Sequence, residues 1–362
     1  MLSAWCRQYP EANIVMSPES LASGLGMAYL GALGSTAQAM ASVLHLPAGG
    51  QLAAGLHARK AALGSLNGPG VTVASSDQLW ADPSQTSSFL PSYLNALASG
   101  YGAGVRQVPL VSDPASAAQQ IDAAVSATTR GHIPRLLTAS DVSGSAWVLT
   151  DALYMDADWA APFQASQTQP QAFTTAAGQQ VTAKFLNGGS FPVVNASGWT
   201  AVSLPYRGGQ LAMVALLPDS GSGGCPALPA ATLDAITADL THGMVLGGRA
   251  AVALPKVNLQ SQASLRSLLT TLGMGVAFSP NADFQGMSKG ACCIGAVIHA
   301  ATLDVGEKGT VGSAATAVIF PGVGVARPAP MITFDRPYLL LVTDTSTGEP
   351  LFLARVANPA TG

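Results

Sequence analysis

Ser17, Asp151 and His299 supply the three side-chain types of an acyl-transfer site: a hydroxyl nucleophile, an imidazole base and a carboxylate to orient it. Such chemistry needs the serine displayed on a strained turn, as in GxSxG, or paired with a lysine, as in SxxK, and the chain contains neither pattern. Lys308-Gly309-Thr310 holds the residues of a KTG box in the wrong order and without its SxxK partner. No hydrolase pattern frames these groups, and no enzymatic activity is expected. Of the four cysteines, Cys292 and Cys293 are neighbours while Cys6 and Cys225 are remote in sequence. No CxxC or metal-ligand spacing occurs, so unpaired thiols, no metal and no cofactor are expected.

The composition narrows the partners. Hydrophobic residues make up 48% of the 362 residues and charged residues 10%, with a net charge of -3. Arg59-Lys60 is the only adjacent basic pair. Nucleic acid, whose phosphates demand grouped cations, is not an expected partner. No run of 18 apolar residues suggests a membrane span, and no basic-then-apolar leader is present. MLSAWCRQYP starts inside what reads as a first helix, so either that helix is short or a segment precedes it. With an upstream signal the protein is secreted, and without one it is cytoplasmic. No linker, repeat or charge block divides the chain, and one domain over 1–362 is expected.

Residues 18–46 and 115–137 carry apolar positions at helical spacing, the second starting at Asp113-Pro114. WVLTDALYM, LAMVALLP, YLLLVTDT and the alternating AAVALPKVNL read as strands. Helices concentrate in the first 140 residues with most strands after them, which is an α+β pattern.

One stretch has no use as a catalyst and a clear use as a strand. From Glu307, Lys308 and Gly309 the chain runs through Thr310, Val311, Gly312, Ser313, Ala314, Ala315 and Thr316 to Ile319 without charge, proline or bulk. Thr310, Gly312, Ala314, Thr316 and Val318 share one face of an extended chain, and all are small enough to pass under neighbouring elements. After Phe320 the sequence PGVGVARPAP, with three prolines and two glycines, favours an exposed loop open to proteolysis.

This hinge and loop, followed by FDRPYLLLVTDTSTGEPLFLARVANP, resembles the serpin family of serine protease inhibitors. NIVMSPESLASGLGMAYLGALGSTAQAM, with Asn13, Ser17, Pro18 and Ser20, is similar to the family's N-terminal signature. WVLTDALYMDADWAAPF, LPYRGGQLAMVALLPDS, LPKVNLQSQASLRSLLTTLGM, FSPNADFQGM and IHAATLDVGEKGT follow in the family's order, so the resemblance covers essentially the whole chain. It implies about nine helices and three β-sheets, a large central sheet, and an exposed reactive-centre loop at about 307–330. The small, uncharged hinge points to an inhibitory member, and the resemblance as a whole is to a prokaryotic-type serpin.

The resemblance also implies roles. Asn13, Ser17, Ser20, Asp151 and His299 would form the region where the central sheet parts. Asp151 stands where the family usually has Asn. A carboxylate cannot donate, so Asp151 would either form an ion pair with protonated His299 or bond to it neutral. Trp159, Lys256 and Glu307 would sit where loop insertion starts, with Lys256 and Glu307 paired. The residue before the scissile bond usually lies 16 positions after the hinge Glu, which gives Val323 followed by Gly324. Val323 suits an elastase-like pocket. Arg327, which would suit a trypsin-like enzyme, and Phe320 are the alternatives, both disfavoured by a following proline.

The implied mechanism is that of a suicide substrate forming a covalent complex with a target serine protease. The implied state is a monomer open to loop-sheet polymerisation. Too few cations lie in the first third for a polysaccharide cofactor. The competing reading is a non-inhibitory binding, transport or chaperone serpin.

Overall fold

A computed structural model describes all residues except 48, 146, 220–224, 226–227, 242–247, 290, 311–329 and 362. In chain order the first third comprises α1 (Leu2–Gln8), β1 (Ile14–Met16), α2 (Pro18–Tyr29), α3 (Gly34–Leu44), α4 (Gly49–Ser65), β2 (Val71–Ala81), α5 (Pro91–Tyr101), β3 (Val105–Gln107) and α6 (Pro114–Thr128). The middle holds α7 (Ala139–Val142), β4 (Trp147–Asp158), β5 (Gln169–Thr174), β6 (Gln180–Ala196), β7 (Trp199–Pro205), β8 (Leu211–Pro218) and α8 (Ala230–Thr241). The last third holds β9 (Arg249–Pro255), β10 (Val257–Ser264), α9 (Arg266–Leu269), β11 (Ile298–Val305), β12 (Gly309–Thr310), β13 (Met331–Thr333), β14 (Tyr338–Asp344) and β15 (Pro350–Val356).

Local chemistry explains the boundaries. Ser17 caps α2 by accepting from the Ser20 N–H, and Pro18 opens the helix where a missing donor costs nothing. Asp113 and Pro114 do the same for α6, with Ser116 as donor. The helix expected over 18–46 is two helices. Gly31 backs onto Met287 so closely that a Cβ there would lie 2.5 Å from the Met287 Cβ, and the chain turns at that contact before α3. The helix expected over 115–137 stops at Thr128, because Arg130 and Gly131 take left-handed backbone conformations with φ of 49° and 85°.

The central sheet runs β10-β11-β12-β4-β2-β3, and the remaining strands form one nine-stranded hydrogen-bonded sheet. β6 joins two sets of strands within it, so among the described residues two hydrogen-bonded sheets stand where three are expected. β6 is long, shifts register between Gly188 and Phe191, and serves β5 and β9 with its first part and β7 with its last. The main core lies between the central sheet, through Val71, Val73, Leu153 and Met155, and the nine-stranded sheet, through Phe185, Leu204, Met213 and Val252. β8 is buried along its whole length, as its unbroken apolar sequence requires. On the opposite face of the central sheet α6 packs Ala117, Ile121 and Val125 against Trp80 and Ala152.

One expectation about covalent structure is overturned. Cys6 and Cys225 form a disulfide with a Cα separation of 5.7 Å across 219 positions of sequence. The fold brings α1 against the segment after β8, which no spacing rule in the sequence reveals. Cys292 and Cys293 remain thiols.

Candidate functional site

β12 is the shortest strand of the central sheet and the one that organises it. Gly309 lies opposite Asp158 and Thr310 opposite Ala157 on β4, while Thr310 also faces Val305 on β11, all antiparallel. The first two small residues of the hinge are thus already hydrogen-bonded between β11 and β4. Thr310 is 1% exposed, and its hydroxyl lies 2.5 Å from that of Tyr206. A Cβ at Gly309 would sit 2.0 Å from the Ala157 carbonyl oxygen, so glycine is what lets the chain enter here. Below Thr310 no described strand lies between β11 and β4. Val311, Gly312, Ser313, Ala314, Ala315 and Thr316 fall outside the described residues, as do Phe320, Val323, Gly324 and Arg327.

The turn before β12 is held from three sides. The Trp159 indole donates to the Gly306 carbonyl at 2.9 Å, the Trp159 N–H to Lys308 at 2.7 Å, and the Phe163 N–H to Glu307 at 2.8 Å. Trp159 stacks on Tyr206 with ring centroids 4.5 Å apart. Lys256 Nζ donates to Glu307 Oε2 at 2.9 Å, and the Thr168 hydroxyl to Glu307 Oε1 at 3.0 Å. Burial pushes the Glu307 carboxyl up, but hydrogen bonds from Lys256, its own backbone N–H and Thr168 hold it below its usual value. Trp159, Lys256 and Glu307 therefore meet at one place. Lys308 points to solvent beside them.

At the other end of the gap, β4 and β11 diverge around a cavity of about 370 Å³. Ser20 and Leu25 of α2, Trp147 and Asp151 of β4, and His299 of β11 line it. His299 is buried, and its Nε2 accepts from the Ser17 N–H at 3.1 Å. Burial lowers its pKa to about 4, so the imidazole is neutral. The ion pair with Asp151 is thus absent: a site that penalises charge and offers a backbone donor selects neutral imidazole. Asp151 instead faces Asp77, its direct cross-strand partner on β2. Burial, then the charge of Asp77 and a hydrogen bond with it, push the Asp151 carboxyl well above its usual range, while Ser20 opposes the shift. Protonated in this way, the Asp151 carboxyl gains the donor that an ionised carboxylate lacks. Its Oδ1 has no hydrogen-bond partner.

Asp77 is the residue that the sequence reading missed. It is 8% exposed, receives a hydrogen bond from the Ser23 hydroxyl, and lies 3.6 Å from Lys60 Nζ. The alternation Val71, Val73, Asp77, Leu79 places an acid on a buried face, and that was the available signal. Asn13 lies away from the cavity. Its amide donates to the Asn358 carbonyl at 2.8 Å and its Oδ1 accepts from the N–H groups of Ala357 and Asn358, so it fastens the C-terminal segment beside β1.

The sequence model of the serpins, serine protease inhibitors, matches residues 1–359. An uncharacterized serpin-like protein of Thermococcus kodakarensis is 31% identical over 361 residues, covering 97% of this chain and 82% of that protein. The leukocyte elastase inhibitor of Bos taurus is 29% identical, covering 97% and 94%. Native protease nexin-1, solved with heparin, shares the fold with a TM-score of 0.82 at 24% identity, covering 99% and 96%.

Proposed function

The chain belongs to the serpin family, named for serine protease inhibitors and not for enzymes, and from that premise we propose that it inhibits an elastase-like serine protease as a suicide substrate. The observation that carries the reading is β12. The hinge is seated in the sheet at its first two residues, and no described strand lies between β4 and β11 below them. Continuing the register in which Thr310 faces Ala157 sets Thr316 opposite Asp151, and the matching register on β11 sets it opposite His299. The lower cavity is then the space that the end of the hinge takes.

The target supplies the chemistry. Its serine attacks the carbonyl of Val323 and forms an acyl-enzyme ester, a normal intermediate of its own cycle. Cleavage frees the hinge to advance between β4 and β11 before water reaches the ester. Insertion of a cleaved loop is an established instance of stored strain released by proteolysis in this family. Fifteen extended residues carry the attached enzyme roughly 50 Å at about 3.3 Å per residue. About ten new inter-strand hydrogen bonds at a net ~1 kcal/mol each supply the drive, with burial of Val318 adding to it.

Val323 favours a small apolar pocket, and the likeness to a leukocyte elastase inhibitor points the same way. Mixing the protein with a neutrophil-type elastase should give a covalent complex that survives SDS, with the chain cut after Val323. A cleaved chain without complex would overturn the reading in favour of a non-inhibitory serpin.

A further inference from the structure

With Cys6 and Cys225 joined, the chain keeps two thiols, and they are adjacent in sequence. Cys292 is exposed and Cys293 half-buried, and both line the cavity between β4 and β11. Interaction with the neighbouring Cys292 thiol and burial push the Cys293 thiol above its usual range. Ile294, the next residue, is buried in the hydrophobic cluster that includes Leu21 and Leu25 of α2. Two soft donors thus stand side by side at the mouth of a cavity of about 370 Å³.

Their chemistry is specific. No described group of three or more metal-ligating side chains includes them, so the pair suits a centre that needs two bonds to sulfur and no further protein ligand. We propose that Cys292 and Cys293 form a binding site for trivalent organoarsenicals and similar thiophilic centres, with the organic substituent lying in the cavity. In the step itself the As=O centre forms two As–S bonds. The two S–H bonds break, and the oxygen leaves with both protons as water, with no change of oxidation state. The second As–S bond forms within one molecule, which is why a dithiol holds the ligand far more firmly than either thiol alone.

The consequence rests on the inhibitor reading. The substituent takes the space that the register assigns to the end of the inserted hinge, and a loaded protein is cut as a substrate instead of trapping its protease.

Phenylarsine oxide is the probe, added to protein with two titratable thiols and followed by intact mass. One equivalent should bind, survive excess monothiol and be released by 2,3-dimercaptopropanol. Cys292→Ser and Cys293→Ser should each weaken retention by about tenfold or more while the melting temperature stays unchanged. No mass gain, or retention by either single variant equal to the original, overturns the site. Loaded protein mixed with elastase should shift from SDS-stable complex to cleaved chain, and an unchanged partition overturns the cavity placement. If unloaded protein gives no complex at all, the inhibitor reading fails while the mass titration still decides the site.

Discussion

At the scale of single residues, the lower end of the gap depends on two groups held against their ordinary protonation. His299 is kept neutral with its pKa lowered to about 4. A base whose folded pKa is depressed contributes stability that is present above the unfolded value near 6.5 and is lost as pH falls toward 4. Intact protein should therefore lose on the order of 3 kcal/mol across that window. Proton NMR of the imidazole together with denaturant midpoints at pH 7, 5.5 and 4.5 would check this. A histidine that titrates near 6.5 would show that burial does not control it. Asp151 has the opposite sign: its raised pKa contributes stability at low pH that fades as pH rises through the folded value. The sequence makes Asp151 visible as an acid where an amide is customary. Its partner Asp77 needs the β2–β4 register, which pairs residues 74 positions apart, before the two acids are seen to face each other.

At the scale of elements, β12 states what the hinge must be. Thr310 is buried and bonded to Tyr206, so Thr310→Arg places a cation beneath the sheet with no acid facing it among its described contacts. An unpaired buried charge is too costly to keep, and the arginine would expel the two-residue strand. The variant should be cut by elastase at an undiminished rate and should form little SDS-stable complex. Wild-type stoichiometry of trapping would sink the insertion mechanism. Strand elements were the most legible part of the chain. LAMVALLP is β8 residue for residue, and YLLLVTDT holds β14, because unbroken apolar runs have one stable placement. Helix ends were less so. Arg130 gives no warning that it takes a positive φ, and Gly31 stops α2 through contact with Met287, a neighbour remote in sequence. The cap with its own chemistry at Asp113 was readable because donor and acceptor lie within one turn.

At the scale of the molecule, the disulfide was hidden for the same reason that it matters: 219 positions separate its ends. Closing so long a loop restricts the unfolded chain, and a bond of this kind is typically worth about 2–5 kcal/mol. Cys6→Ala with Cys225→Ala should lower the melting temperature of the intact protein by several degrees while leaving the SDS-stable complex in place. An unchanged melting temperature would show that α1 is held by Trp5 packing alone. Under the proposed mechanism the whole fold also has to win a race, since the ester with the target would last only until water reaches it. Any ordered segment that grows residue by residue is delayed chiefly by its first contact, where chain entropy is surrendered before bonds accumulate. β12 makes that first contact in the uncut molecule. Insertion then resembles the closing of a zipper already engaged at its top tooth: no nucleus has to be found, the direction of travel is fixed, and delay arises only from the propagation of pairing down β4 and β11.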